Sequence, residues 1–514
     1  MHTLARPGRG RIRPPGAERP GRRRRTLLLL HELRALSRVA GPIIVSQLGA
    51  IAMNTTDTIM VGPLGAPALA AVGLASAVFM AVLVVCTGTL MAMSPLVSQA
   101  YGARDLPETR RVLVQGLWLA ALLAVPMTLV ALFGLPLARA LGQADEVARL
   151  AGGYLLALAP GVVPTLLFMA FRQYLDGMGL TRPAMVITFL GLAVNVAGNY
   201  VLIYGVDTVL PLAGAVRVPA YGVVGSGMAT TLVRWSMFVA MAVYVLRRRD
   251  LAAFAGTRLR PVAERLGRMV RIGAPIGGQL AAEVGIFSFA IVLIGWMGPV
   301  QQAAHQVAIN VASATFMVAL GTSLAGSIRV GQHVGAGSPR GVRRAVLTTY
   351  LLVTAVLGVC ALAFVAAPRW ILGLYTRDPE IVAAGLGLLA MAAAFQLFDG
   401  WQVAGLCALR GAADTRVPMW ITILGYWAVG APAAYLLGFH TRLGAQGVWA
   451  GLVLALAVVA ALLGWRVRRV LWGRPPARAP GPPFKPSRAP RRPRVHDDAT
   501  HAEPALPDGG THAG

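Results

Sequence analysis

Residues 94–111, "SPLVSQAYGARDLPETRR", lie over residues 327–344, "SIRVGQHVGAGSPRGVRR", at an offset of 233. Ser94, Val97, Gln99, Gly102, Ala103, Arg110 and Arg111 meet Ser327, Val330, Gln332, Gly335, Ala336, Arg343 and Arg344. A second match follows at an offset of 234, where Leu175, Gly177, Thr181, Arg182, Met185, Ile187, Thr188, Leu190 and Gly191 meet Leu409, Gly411, Thr415, Arg416, Met419, Ile421, Thr422, Leu424 and Gly425. Two long matches whose spacings differ by a single residue make the chain two homologous halves.

The solvent of those halves follows from composition. Of 514 residues, 56% are hydrophobic and 13% charged, with a mean hydropathy of +0.65. A soluble domain carries about a quarter charged residues, so this is a polytopic membrane protein. Apolar windows of membrane-spanning length fall at 40–62, 69–97, 112–135, 152–175, 183–205, 222–246, 272–297, 303–328, 345–367, 384–409, 417–438 and 446–466. The fold class is therefore an all-α polytopic membrane protein of about twelve transmembrane helices. Each half holds six, an even number, so the second half enters from the same side and the repeats are parallel about an axis along the membrane normal. Two such bundles leave a cleft between them, and rocking one against the other would give alternating access. Neither a ring of like charges nor a carbonyl-rich filter motif argues for a channel.

Arginine sets the orientation. Basic residues concentrate in the loops at 104–111, 247–271, 338–344 and 468–474, whereas the opposite loops at 63–68 and 298–302 have none. The positive-inside rule then makes both termini cytoplasmic. The expected organisation is a basic disordered tail at 1–38, a six-helix bundle at 39–250, a cytoplasmic connection at 251–270, a second bundle at 271–470 and a disordered Pro/Arg-rich tail at 471–514. The arginine run at 22–25 precedes an apolar run too short for a signal peptide, with no cleavage site after it. The tail is read instead as touching anionic lipid. Without interleaved aromatics or a folded module, the tails do not read as nucleic-acid binders. Cys86, Cys360 and Cys407 stand singly, so neither a disulfide framework nor a thiolate metal site is available.

Three carboxylates lie deep in apolar spans: Asp57 in "NTTDTIMVG" (54–62), Glu283 and Asp399. An ionised carboxylate there costs between ~3 and more than ~10 kcal/mol, so something must offset it. The equivalent positions in the other half are Ala290, Ala50 and Thr165, so the fold itself does not require an acid. At ~1.5 Å per helical residue, Asp57, Asn195, Asn199 and Thr230 all come ~20 to ~26 Å from the cytoplasmic ends of their spans. They can form one oxygen-rich cluster in the outer half of the first bundle. Glu283 and Asp399 come ~17 to ~18 Å up in the second bundle. Such oxygens suit a hard cation such as Na⁺, and a desolvated carboxylate can instead carry a proton. The same residues also serve as hydrogen-bonded packing between helices, and Arg234 in the sixth span reads as a snorkelling or carboxylate-paired residue. Gly41-Pro42 and Pro160 to Pro164 read as packing and kink sites.

The segments "DTIMVGPLGAPALAAVGLA" (57–75), "SQAYGARD" (98–105), "LDGMGLTRPAM" (175–185), "NVAGNYVLIYG" (195–205), "AAHQVAINVASATFMVALGTSLAGSIRVGQHVGAG" (303–337) and "LRGAADTRVPM" (409–419) resemble the multidrug and toxic compound extrusion (MATE) family, in its NorM-like bacterial branch. The likeness runs from about Leu36 to Arg466. It implies a V-shaped antiporter in a bacterial inner membrane that expels cationic amphiphilic compounds in exchange for H⁺ or Na⁺, with no cofactor. Asp57 matches the family's first-helix acid, Asn195 and Asn199 its fifth-helix partners, and Glu283 and Asp399 the seventh- and tenth-helix acids. With sodium coupling, Asp57, Asn195 and Asn199 would hold Na⁺. Phe395 departs from the pattern, since some members carry a tyrosine there. Met53, Met60, Phe79, Phe171, Phe287 and Phe316 are taken as the apolar substrate lining. The implied partners are a small organic cation and membrane lipid, and the protein is read as a monomer. The alternatives are a flippase for a lipid-linked precursor, marked by an arginine-rich cleft, and an exporter of an endogenous metabolite. An enzyme would need His-rich metal spacing or a nucleophile with its base, and His305 and His333 are isolated.

Overall fold

A computed structural model describes residues 22–210, 214–248, 254 and 256–472. The expected tails at 1–21 and 473–514 lie outside the described residues. Twelve helices among them are long and apolar enough to cross a membrane: α1 (Thr26–Leu64), α2 (Ala66–Gly102), α3 (Leu106–Leu132), α4 (Asp145–Gly177), α5 (Arg182–Tyr204), α6 (Gly222–Arg247), α7 (Ala263–Gly295), α8 (Pro299–Gly335), α9 (Pro339–Ala366), α10 (Pro379–Gly411), α11 (Arg416–Phe439) and α12 (Ala445–Trp472). Each of the twelve expected windows falls on one of them. Helix is the spanning form because every backbone group must be satisfied within its own segment.

The differences lie at the edges. Residues 22–38 were expected in the tail, yet helix runs continuously from Arg22 to Val61. Leu36 is fully buried and Glu32 is 4% exposed, so tertiary packing holds this basic stretch in helical form. Similarly, α7 starts at Ala263, inside the expected connecting loop. Between α5 and α6 a small hairpin, β1 (Val206–Leu210) and β2 (Gly214–Val218), pairs antiparallel with Val206 opposite Val218. At the proline pair in α4 the helix tightens into a 3₁₀ turn at Ala159–Gly161 before resuming.

The repeat extends to single backbone torsions. Gly65 and Gly298 take φ of 102° and 109°, Arg104 and Gly337 take 60° and 62°, and Gly179 and Ala413 take 83° and 60°. The N-caps of α3 and α9 also correspond: the Asp105 carboxylate accepts from Glu108 N at 3.0 Å, and the Ser338 hydroxyl from Gly341 N at 3.2 Å. Short helices precede α4 and α10 alike, at Gly134–Ala140 and Pro368–Gly373.

Each half has its own apolar core, and the first helix of each packs across onto the other half. From α1, Leu36, Ala40 and Ile43 meet Ala325 and Ile328 of α8. From α7, Met269 and Ile272 join the core of the first half. Glycine makes these crossings possible. A Cβ on Gly102 would strike the carbonyl of Gln332, and one on the equivalent Gly335 would strike that of Gln99. Side chains confirm the exchange: Gln99 Nε2 donates to Gly411 O at 2.9 Å and Gln332 Nε2 to Gly177 O at 3.4 Å. The motif that reveals the repeat is thus the place where the two halves close on each other, at the end that carries the arginine-rich loops.

Two buried ion pairs reinforce that basic end. Glu32 of α1 receives Arg329 Nε at 2.8 Å and Nη2 at 3.0 Å, with His333 Nε2 at 3.3 Å. At the repeat-equivalent of Glu32, Arg265 of α7 donates to Glu108 Oε1 of α3 at 2.9 Å. The charges are exchanged but the tie is the same.

Candidate functional site

The structure brings the first expected cluster together. Asn195 Nδ2 and Asn199 Nδ2, one turn apart on α5, both donate to Asp57 Oδ1, at 2.8 and 2.6 Å. Asp57 is 8% exposed and both asparagines are fully buried. Two amide donors on one carboxylate oxygen offset part of the cost of its burial. Thr230 faces the same carboxylate from α6, while its hydroxyl donates to Ser226 O at 3.0 Å.

Two neighbours complete this site that the sequence did not single out as functional. The Arg234 guanidinium lies 4.9 Å from the centre of the Phe79 ring and interacts electrostatically with Asp57. Tyr154 of α4 interacts electrostatically with both charges. Arg234 is therefore a carboxylate-associated residue. Asn195 Oδ1, Asn199 Oδ1 and Ser226 Oγ are buried with no protein partner. With the Asp57 carboxylate they form a donor set of oxygens that fits a hard monovalent cation, although Arg234 already contributes one positive charge to the cluster. No group of three or more acidic, histidine or cysteine side chains suited to a bound metal occurs among the described residues.

The second pair, Glu283 and Asp399, lies elsewhere. Both line a cavity of about 670 Å³ between the halves, walled by α1, α2, α4, α7, α8 and α10. Asp399 is 4% exposed and its Oδ1 has no protein partner. The two acids are close enough to interact electrostatically. Most of the wall is apolar, including Met80, Met169, Phe287 and Phe316. Of the six residues expected to line the substrate site, Phe287 and Phe316 line this cavity. The other four lie outside this cavity: Phe79 under Arg234, Phe171 against Phe238 with ring centres 6.3 Å apart, Met60 against the core of the first half, and Met53 beside Gly191. Helical depth alone could not place them, because it carries no information about which face of a helix turns to the cleft.

Phe395 packs its ring 5.9 Å from Phe287 and 5.5 Å from Trp449. A phenol on another helix lies within electrostatic range of the acids. Tyr426 of α11 interacts electrostatically with Glu283 and Asp399, and its hydroxyl donates to Gln402 Oε1 at 2.7 Å. It sits in a π-helical turn at Gly425–Gly430, a widening that frequently accompanies functional positions. The floor of the cavity, near the glycine crossings, carries Arg172, Asp176 and Arg410. Asp176 and Arg410 are repeat-equivalent and opposite in charge, a signal visible in "LDG" against "LRG". The positions equivalent to Asp57 and Asp399 do ordinary packing: Ala290 is 1% exposed in the core of the second half, and the Thr165 hydroxyl donates to Gly161 O at 2.6 Å.

A family model, MatE, matches residues 42–201 and 275–436, one segment in each half. The "Probable multidrug resistance protein NorM" of Rhodopseudomonas palustris is 38% identical over 438 residues, covering 84% of this chain and 90% of that protein. The protein of the same name from Pseudomonas syringae pv. tomato is 37% identical, covering 86% and 96%. Among solved structures, a eukaryotic MATE transporter, AtDTX14, superposes with a TM-score of 0.74 at 21% identity, covering 87% of this chain and 97% of that one. A MATE protein in its straight conformation gives 0.76 at 23% identity, covering 85% and 96%. The repeat, the twelve spans, the interlobe cavity and these likenesses agree, and the chain belongs to the MatE family, in its NorM-like bacterial branch.

Proposed function

We propose that this protein is a secondary antiporter that exports cationic amphiphilic compounds in exchange for H⁺ or Na⁺. The observation that carries this reading is the mostly apolar cavity between two repeat halves, with Glu283 and Asp399 in its wall. A cavity of about 670 Å³ is of the size that takes a drug-like molecule. Its apolar wall suits the hydrophobic body and its two acids suit a positive charge. Export of drug-like compounds agrees with the name of the relatives, "Probable multidrug resistance protein NorM".

In this reading the basic end is cytoplasmic, both termini lie inside, and the protein works as a monomer in the bacterial inner membrane. The glycine crossings make the described state the one closed to the cytoplasm. Asp57 takes the coupling ion: a proton on its carboxylate, or Na⁺ held by Asp57, Asn195 and Asn199. Glu283 and Asp399 are shared between substrate and ion. Exchange requires only that ion and substrate bind the two conformations with different affinities. The family's transporters work without a cofactor, and nothing in the site calls for catalysis.

The test is efflux of a fluorescent cationic dye from proteoliposomes, with a pH gradient and a Na⁺ gradient imposed separately and Asp57→Asn alongside. Transport driven by one gradient and lowered at least about tenfold in Asp57→Asn is expected, since one pKa-scale interaction of 1.4 kcal/mol already corresponds to about tenfold. Transport indifferent to both gradients would overturn antiport.

A further inference from the structure

Four arginines stand one or two residues before the apolar windows that begin at 40, 183, 272 and 417. Arg38 of α1 and Arg271 of α7 are repeat-equivalent at the offset of 233, where "RVAGPI" (38–43) lies over "RIGAPI" (271–276). Arg182 of α5 and Arg416 of α11 are equivalent at 234. All four are exposed, and among the described residues none makes a side-chain hydrogen bond, ion pair or ring contact. Packing groups them in pairs. Thr181 Oγ1 donates to Val39 O at 3.3 Å, so the backbones of Arg38 and Arg182 are neighbours. In the second half α11 lies on α7, with Met419 Sδ 3.5 Å from where a Cβ on Gly278 would stand.

An exposed apolar stripe runs above each pair. Val186 and Leu190 follow Arg182 at intervals of four, and Trp420 and Leu424 follow Arg416 in the same way, so each trio shares one helix face. At ~1.5 Å per helical residue, each stripe rises ~12 Å from its arginine into the membrane. The positive-inside rule accounts for arginine at this end. It does not account for two unpaired guanidiniums set side by side, where like charges repel, with the same stripe above them in both halves. A bridging anion removes that repulsion, and two planar forks suit the oxygens of a phosphate. We infer that each pair, Arg38 with Arg182 and Arg271 with Arg416, holds the phosphate of an anionic phospholipid whose acyl chains lie along the stripe. Each lipid then joins the crossing helix of a half, α1 or α7, to that half's own α5 or α11. Both sites lie outside the cavity and are independent of what it carries.

The test is native mass spectrometry of the full-length protein in detergent after addition of phosphatidylglycerol or phosphatidylcholine. Under activation that strips phosphatidylcholine, wild-type protein is expected to retain two molecules of phosphatidylglycerol. Arg38→Gln/Arg182→Gln is expected to retain one, and the variant that adds Arg271→Gln/Arg416→Gln none. Arg258→Gln/Arg260→Gln, which removes as much charge from exposed positions at the same end, is expected to retain two. Equal retention of the two lipids by wild-type protein would overturn the inference. A loss in Arg258→Gln/Arg260→Gln as large as in Arg38→Gln/Arg182→Gln would also overturn it, since diffuse charge rather than paired sites would then hold the lipid. If inorganic phosphate displaced the lipid completely, the arginines would form a site for free anions and the lipid assignment would fail.

Discussion

Asp57 shows how the chain keeps an acid in a membrane. Two amide donors, a hydroxyl and a guanidinium surround one carboxylate, so no single partner carries the whole offset. Removing one amide should therefore weaken the site without emptying it. Asn199→Ala is expected to destabilise the protein by about 1.5–3 kcal/mol, the usual worth of a hydrogen bond to a charged group. The midpoint of chemical unfolding in detergent checks this, and an unchanged midpoint would show that Asn199 is dispensable to Asp57. At this scale the sequence was most legible where depth and residue chemistry coincide. Asp57, Asn195, Asn199 and Thr230 share a level along their helices, and polar groups buried at one level in lipid find one another. Apolar side chains such as Met53, Met60, Phe79 and Phe171 carry no signature of which neighbour they face. Arg410 and Asp176 were readable as a charge reversal within the repeat. What they face became visible only with the cavity.

At the scale of elements, the closing contact is made by glycine. Gly102 and Gly335 each let a helix of one half lie on a glutamine carbonyl of the other, and no side chain fits there. A carbonyl approached by an added methyl must move, and packed interfaces respond by shifting between discrete arrangements. Gly335→Ala should therefore open the basic end. The natural thiol of Cys407 reports on this, because it lines the cavity and is 1% exposed. In inverted vesicles, an impermeant thiol reagent is expected to label Cys407 in Gly335→Ala about tenfold faster than in wild-type protein, with Cys407→Ser as the background. Equal labelling rates would show that the crossing does not gate access. The repeat motif announced this element in the sequence, since "SQAYGA" and "GQHVGA" place Gln and Gly three apart in both halves. The helical stretch at 22–38 was not announced. Its arginines and leucines read as a surface tail until Glu32 finds Arg329 nearly 300 residues away, a contact no local pattern encodes.

On the scale of the whole molecule, two halves with separate cores are joined by crossed first helices, matched glycines and two ion pairs of reversed charge. That division suits rigid-body rocking about the pseudo-two-fold axis, because each core can move as a unit while only the crossings rearrange. The twelve spans and the parallel repeat were legible because spanning length and internal offset are global properties of the chain. The axis itself passes close to Ser98 and Gly331, which are repeat-equivalent. A Cβ built on Gly331 would stand 3.0 Å from Ser98 Cβ, about half an ångström inside the shortest separation a disulfide spans, so the two backbones part slightly when the bond forms. The most direct test of alternating access is dye efflux by Ser98→Cys/Gly331→Cys in a background lacking the three natural cysteines, measured before and after oxidation. Rocking predicts that transport falls at least about tenfold on oxidation and returns on reduction. Undiminished transport with the bond quantitatively formed would contradict it.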